Sequence, residues 1–112
     1  MTTLLIVYVT SGSLLILLSI PLYLGKIPPN PIYGFRVPKT LDNPELWYKV
    51  NRYSARFLIL TGVLSVLTAA LLYLIPGISV DAYALGCLAA FSAVFIIGLA
   101  FSFRYMKKVT PP

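Results

Sequence analysis

Three long apolar stretches without a charged residue constrain the fold of this 112-residue chain more than any other feature. They cover residues 4–24, 57–75 and 82–103. A helix needs about 20 residues to cross a hydrocarbon core about 30 Å thick, so each stretch is long enough to span a membrane. Helix is the required backbone, because lipid offers no hydrogen-bond partner to an exposed N–H or C=O group. The sequence therefore predicts an all-α integral membrane protein with three transmembrane helices, folded as one membrane domain over residues 1–112.

The composition agrees with a membrane protein and argues against most catalytic classes. The apolar fraction is 59% and the charged fraction 11%, whereas soluble domains have about 45–50% and about 25%. The chain has no histidine, Cys87 is its only cysteine, and only three residues are acidic. Acid–base, thiol and metal chemistry need more such groups close together. We expect no enzyme activity, no metal and no cofactor.

The charges between the apolar stretches predict the orientation in the membrane. Residues 25–56 carry six basic and two acidic residues, a net charge of +4, and residues 104–112 carry +3. The positive-inside rule places both segments in the cytoplasm, and therefore the N-terminus outside and the C-terminus inside. The first stretch is expected to be a span rather than a cleaved signal peptide, since no basic residue precedes it. This topology accounts for the total charge of +6, so we expect no nucleic-acid partner.

Small residues predict how the spans pack. The connection between the second and third spans is short, so these spans must form an antiparallel hairpin. Small residues at four-residue spacing let two helix backbones approach closely. We expect this stripe to pack the hairpin together, and a homo-oligomer face is the alternative. The small residues of the third span are Gly86, Ala90 and Ala93, and those of the second are Gly62, Ser65 and Ala69.

The first loop, residues 25–56, is rich in proline and differs from the rest of the chain. Its prolines argue against helix up to about Thr40 and favour extended or turn backbone. Asp42 or Asn43 then provides a helix cap, and Pro44 suits the first helical position. We predict an interfacial amphipathic helix that begins at Pro44 and either bends into or runs on into the second span.

The predicted helix has two faces. Trp47, Asn51 and Ser54 lie on one face at helical spacing. The basic residues Lys49, Arg52 and Arg56 lie nearly opposite. One interpretation is that the tryptophan anchors the helix at the membrane surface while the basic residues contact anionic lipid headgroups. The other is that Asn51 and Ser54 point toward the proline-rich loop and form a polar pocket.

A motif over residues 30–52 gives the loop a family resemblance. It consists of Asn30, then Tyr33-Gly34-Phe35-Arg36-Val37-Pro38-Lys39-Thr40-Leu41, then Glu45, Trp47 and Asn51-Arg52. This arrangement resembles the SdpI family, whose members read approximately Asn…Gly-aromatic or aliphatic-Arg-Thr-Pro-x-Thr, followed by acidic-x-Trp and an Asn-Arg pair. The chain departs from the pattern at Val37, where threonine is frequent. Fuller members of the family also carry additional N-terminal spans.

The resemblance implies a multi-pass protein of a prokaryotic plasma membrane that confers immunity to, or senses, a membrane-active peptide toxin. A basic cytoplasmic loop also suits recruitment of a soluble regulator protein. The resemblance makes the loop motif the candidate binding site: Asn30, Tyr33, Gly34, Arg36, Pro38, Thr40, Glu45, Trp47, Asn51 and Arg52.

Arg36 is the residue of this motif with the most specific chemistry. Its guanidinium presents a fixed fork of donors that suits a carboxylate or a phosphate. Three partners are consistent with its position: an ion pair with Glu45, a lipid phosphate, or a toxin or regulator.

Two other functions agree with the composition. One is a structural or accessory subunit of a larger membrane complex, since the spans carry no charge. The other is a small transporter or channel, although the spans lack the ionisable residues that usually mark an ion path.

Overall fold

A computed structural model describes residues 1–30 and 34–110 of the chain. Within these residues all regular structure is helical, and no strand occurs. The elements are α1 (Thr2–Tyr23), α2 (Pro38–Leu41), α3 (Pro44–Tyr73) and α4 (Val80–Val109). The three long helices α1, α3 and α4 are each long and apolar enough to span a membrane. The prediction of an all-helical chain with three such helices is confirmed.

The helix α3 is the centre of the fold, because it packs against both α1 and α4. Its 30 residues correspond to about 45 Å of helix, which exceeds a hydrocarbon core of about 30 Å. The first turns of α3 therefore extend beyond the apolar stretch 57–75. These turns carry Trp47, Asn51 and Ser54 on their buried face, and the first loop folds against them.

The contact between α1 and α3 depends on two glycines. A Cβ atom at Gly62 would lie 2.7 Å from the Gly12 carbonyl oxygen and 2.6 Å from Ile16. A Cβ atom at Gly12 would in turn lie 2.9 Å from the Gly62 carbonyl oxygen and 3.6 Å from Ser65. The expectation that Gly62 and Ser65 pack against the third span is therefore wrong, since both face α1. Close approach of backbones at paired small residues is the usual geometry of membrane helices.

The hairpin between α3 and α4 forms as predicted, but large residues fit against small ones. Tyr83 of α4 packs over Ala69, and its hydroxyl donates to the Ala69 carbonyl oxygen at 2.9 Å. A Cβ atom at Gly98 would lie 2.6 Å from Phe57. The predicted small-residue stripe of α4 does not face α3 throughout: Gly86 and Ala90 are half-buried, but Ala93 is exposed. The buried positions of α4 are Tyr83, Cys87, Gly98, Ser102 and Met106.

Pro21 lies inside α1 and does not end it. The helix ends at Tyr23, and two residues later Gly25 has a φ of +72°, a left-handed conformation that glycine adopts readily. The Gly25 N–H donates to the Leu22 carbonyl oxygen (3.2 Å), and the Lys26 N–H donates to the Pro21 carbonyl oxygen (3.0 Å). This pair of bonds is a Schellman motif, which satisfies carbonyls that a helix end leaves unpaired.

The predicted helix start at Pro44 is confirmed. The Asn43 side chain caps α3 by accepting a hydrogen bond from the Leu46 N–H at 3.2 Å. The helix then runs on into the second span without a break, so the described residues form no separate interfacial helix. The expectation that no helix forms up to about Thr40 is wrong, because Pro38 begins the single-turn helix α2. Proline is well suited to the first position of a helix, where its missing N–H costs nothing.

Candidate loop site

A buried amide attaches the first loop to α3. The Asn51 side chain is 1% exposed, and its Oδ1 accepts a hydrogen bond from the Phe35 N–H at 2.6 Å. Its Nδ2 donates to the Trp47 carbonyl oxygen at 3.0 Å. Both hydrogen-bonding groups of the amide are thus satisfied without water. The interpretation in which Asn51 points toward the loop is the one that the geometry supports.

Gly34 permits this attachment. Its φ is +115°, a conformation that side-chain-bearing residues rarely adopt. A Cβ atom here would lie 2.8 Å from Asn51 Oδ1 and 3.0 Å from the Trp47 ring. The loop backbone therefore contacts the side chains of α3 directly, and no other residue type fits.

Trp47 is fully buried beneath the loop. Its Nε1 donates to the Ile27 carbonyl oxygen at 2.8 Å. The interpretation of Trp47 as an anchor at the membrane surface is therefore wrong. A buried indole requires an acceptor for its N–H, and the part of the loop just before the motif supplies it.

Phe35 and Thr40 complete the attachment. The Thr40 hydroxyl donates to the Phe35 carbonyl oxygen at 2.7 Å and accepts from the Val37 N–H at 3.0 Å. The Phe35 ring packs edge-on against Phe103 of α4, with the ring centres 4.8 Å apart. Phe35 thus connects the loop to α3 and α4 together. We call Gly34, Phe35, Thr40, Trp47 and Asn51 the loop anchor.

Phe35 was not among the predicted site residues. It belongs to a buried cluster with Leu46, Val50 and Met106. The only signal in the sequence was its place in the motif after Gly34. Nothing in the periodicity of the loop distinguishes it from the neighbouring Tyr33.

The charged residues of the motif have other partners than expected. Glu45 forms an ion pair with Lys49 at 3.3 Å, one helical turn away, and the described residues show no ion pair between Glu45 and Arg36. Arg52 donates from Nε to the Tyr23 carbonyl oxygen at 3.1 Å. This bond satisfies a carbonyl at the end of α1, where a cation is also favoured by the helix dipole.

Arg56 also contacts the end of α1, because its guanidinium lies 5.7 Å from the centre of the Tyr23 ring. This distance is within the range of a cation–π interaction. All three basic residues predicted to contact lipid headgroups thus have a partner within the protein, and their contact with lipid stays a prediction. Arg36, which precedes the turn into α2, is exposed.

The remaining motif residues make local contacts or lie outside the residues that the structure describes. The Asn30 side chain donates to the Pro28 carbonyl oxygen at 2.8 Å, a bond that shapes the turn around it. Pro38 begins α2. Tyr33 lies outside the described residues, so its predicted role stays a prediction. The described residues contain no group of three histidine, cysteine or acidic side chains that could hold a metal ion.

A cavity of about 160 Å³ lies beneath the loop anchor, between α3 and α4. Its hydroxyl groups bond to their own helices: Thr61 donates to the Phe57 carbonyl oxygen (2.6 Å) and Ser102 to the Gly98 carbonyl oxygen (2.7 Å). The walls therefore present mainly apolar surface, and an apolar cavity of about 150 Å³ holds a benzene ring. Its lining is Gly34, Phe35, Ser54, Phe57, Leu58, Thr61, Phe95, Gly98, Leu99 and Ser102.

This cavity differs from the predicted polar pocket. Ser54 lines it as expected, whereas Asn51 does not. The Asn51 amide is already occupied by the loop backbone. The polar face of α3 was predictable from the sequence. The apolar cavity that α4 forms against this face was not.

Comparison with known proteins agrees with the family resemblance of the loop motif. The family model described as the SdpI/YfhL protein family matches residues 26–104, which include the loop motif, α3 and most of α4. A relative described as "Uncharacterized protein YfhL" from Bacillus subtilis (strain 168) is 38% identical over 55 residues. That match covers 46% of this chain and 48% of the relative, so about half of each protein is matched. No solved structure matches the chain significantly. The family match covers well over half of the sequence, and the chain belongs to the SdpI/YfhL protein family.

Proposed function

We propose that this multi-pass membrane protein confers immunity to a membrane-active peptide toxin, or senses one, at the site formed by the loop anchor and the cavity beneath it. One observation carries the proposal. The loop anchor holds the exposed residue Arg36 one position from the cavity wall at Phe35. An exposed guanidinium next in sequence to a residue of an apolar cavity wall suits an amphipathic peptide, which carries both kinds of group.

We expect the toxin peptide to contact both the cavity and Arg36. An apolar side chain of the peptide enters the cavity from the membrane, where the exposed residue Leu99 forms part of the wall. A carboxylate or a peptide carbonyl of the toxin accepts hydrogen bonds from Arg36. Because Phe35 contacts both α3 and the Phe103 ring of α4, an occupied cavity also changes the surface that the loop presents to a soluble regulator.

Survival of a sensitive bacterium tests the proposal. Cells that express the wild type are challenged with a panel of membrane-active peptides, and we expect protection against at least one. Arg36→Gln should abolish most of that protection, because glutamine loses the charge and the fork of donors. Lys39→Gln is the matched control, since Lys39 is an exposed cation of the adjacent helix α2.

Two results would contradict the proposal. One is equal protection by the Arg36→Gln and Lys39→Gln variants. The other is a wild type that reaches the membrane but protects against no peptide, which would favour an accessory subunit of a larger complex. Trp47→Ala does not serve as a test of the site, because Trp47 is fully buried and we expect its loss to release the loop.

The proposed orientation places the loop anchor in the cytoplasm, in accord with the net charge of +4 on residues 25–56. A variant with Cys87→Ala and Lys39→Cys carries one exposed thiol, in the loop. We expect a membrane-impermeant maleimide to label it in inside-out vesicles and not in intact cells. Labelling in intact cells would show that the loop lies outside the cell and would contradict the proposed orientation.

A further inference from the structure

A second cavity lies on the other side of the α3–α4 contact, toward the C-terminal end of α4. Its volume is about 420 Å³. Two stacked tyrosines form its wall: the rings of Tyr53 and Tyr105 lie 4.1 Å apart and 6° from parallel. The complete lining is Tyr53, Phe101, Arg104, Tyr105 and Lys108. This cavity shares no lining residue with the one beneath the loop anchor.

Two cations line this cavity at positions i and i+4 of α4, so they lie on the same face of the helix. Arg104 and Lys108 are both exposed, and neither forms an ion pair with a described acidic residue. The three acidic side chains lie elsewhere: Glu45 pairs with Lys49, Asp42 is the C-cap of α2, and Asp81 lies in the first turn of α4. Two neighbouring like charges without an acidic side chain as counterion among the described residues attract an external anion.

The surroundings of these cations define the kind of anion. They lie where the apolar stretch 82–103 ends. The next residue toward the membrane centre on the cavity wall is Phe101, which is 42% exposed. Tyrosine has an apolar ring and a polar hydroxyl, and it is favoured at the level of lipid headgroups. Along α4 the cavity wall thus changes from the apolar ring of Phe101 to the cations Arg104 and Lys108 with Tyr105 between them, as an acyl chain gives way to a charged headgroup in a phospholipid.

We propose that this cavity binds the headgroup of an anionic phospholipid. The phosphate lies between the Arg104 guanidinium and the Lys108 ammonium, beside the stacked rings of Tyr53 and Tyr105, and an acyl chain continues over Phe101. Positive-inside topology explains why basic residues occur at this end of α4. It does not explain a cavity with an aromatic wall between them. The site is independent of the proposed function, because no residue of the loop anchor takes part in it.

Native mass spectrometry of the purified chain tests the proposal. The protein is titrated in detergent with phosphatidylglycerol and, separately, with phosphatidylcholine. We expect tighter binding of phosphatidylglycerol, because the choline ammonium opposes the two cations. The double variant Arg104→Gln, Lys108→Gln should bind phosphatidylglycerol about tenfold to thirtyfold more weakly, since each basic residue near an anionic lipid surface contributes about a factor of five.

The double variant Lys39→Gln, Lys107→Gln is the matched control. It removes the same charge from exposed residues that do not line the cavity, and we expect its affinity to change less than twofold. Equal weakening in both double variants would overturn the proposal, because it would show a general effect of charge. Equal binding of the two lipids by the wild type would also overturn it.

Millimolar inorganic phosphate separates a lipid site from a site for free phosphate. It carries no acyl chain, so we expect it to leave phosphatidylglycerol bound. Displacement of the lipid by phosphate would show that the cations recognise free phosphate and would overturn the lipid assignment. The survival assay of the proposed function uses none of these variants except the Lys39 control, so the two proposals fail separately.

Discussion

Replacing Trp47 with alanine is expected to release the first loop from α3. The indole is fully buried, contacts the Gly34 backbone closely and donates to Ile27 at 2.8 Å. Truncation of a buried tryptophan costs about 3–5 kcal/mol. Hydrogen exchange of residues 34–41 measures the result, and we expect exchange to become at least about a hundredfold faster.

The variant Trp47→Phe is the control for this prediction. It keeps an aromatic ring under the loop but loses the hydrogen bond to Ile27, which costs about 1 kcal/mol. Slow labelling of the buried Cys87 by a thiol reagent shows in both variants that the helices stay packed. Unchanged exchange of residues 34–41 in Trp47→Ala would contradict the description of the loop anchor.

Replacing Gly62 with leucine is expected to separate α1 from α3. The space at Gly62 is bounded by the Gly12 carbonyl oxygen at 2.7 Å, and a backbone atom cannot move aside as a flexible side chain can. Overpacking of this kind costs about 3 kcal/mol. Tyr8 and Val9 of α1 pack against the buried cluster that contains Cys87. The rate at which a thiol reagent labels Cys87 on heating therefore reports whether α1 is in place, and we expect it to rise strongly.

The matched control is Ala70→Leu. Ala70 lies on the same helix but is exposed, so the added side chain meets open space. We expect its labelling rate to stay near that of the wild type. If Gly62→Leu and Ala70→Leu behaved alike, the close approach of Gly12 and Gly62 would be wrong.

The helices were predictable from the sequence because their causes are local. Length and absence of charge identify the spans, and the Asn43-Pro44 pair identifies the start of α3. The end of α1 follows from Gly25 rather than from Pro21. Each of these features depends on a few neighbouring residues, which a single sequence displays.

The contacts between helices were less predictable, because a small residue indicates close approach without indicating the partner. Gly62 was expected to face the third span and faces α1 instead. Ala93 continues the predicted stripe of α4 but is exposed. Which helix a small residue faces depends on large residues of the partner helix, such as Phe57 against Gly98 and Tyr83 against Ala69.

In the candidate site too, local features were predictable from the sequence and contacts between distant residues were not. The polar face of α3 was read from helical spacing, and Asn51 lies where that spacing placed it. Trp47 was expected at the membrane surface, because the sequence does not show that Ile27, 20 residues earlier, accepts its N–H. The cavity beneath the loop anchor was not predictable, since its walls come from three separate segments of the chain.

The central claim is that a peptide binds in the cavity beneath the loop anchor. Filling that cavity tests it most directly. In the survival assay we compare Leu99→Trp, which places an indole at the cavity wall, with Ile96→Trp, which adds the same side chain to an exposed position of α4 outside the cavity. Slow labelling of Cys87 confirms that both variants are folded. We predict that Leu99→Trp loses protection and Ile96→Trp keeps it, whereas equal protection by the two variants would contradict the claim.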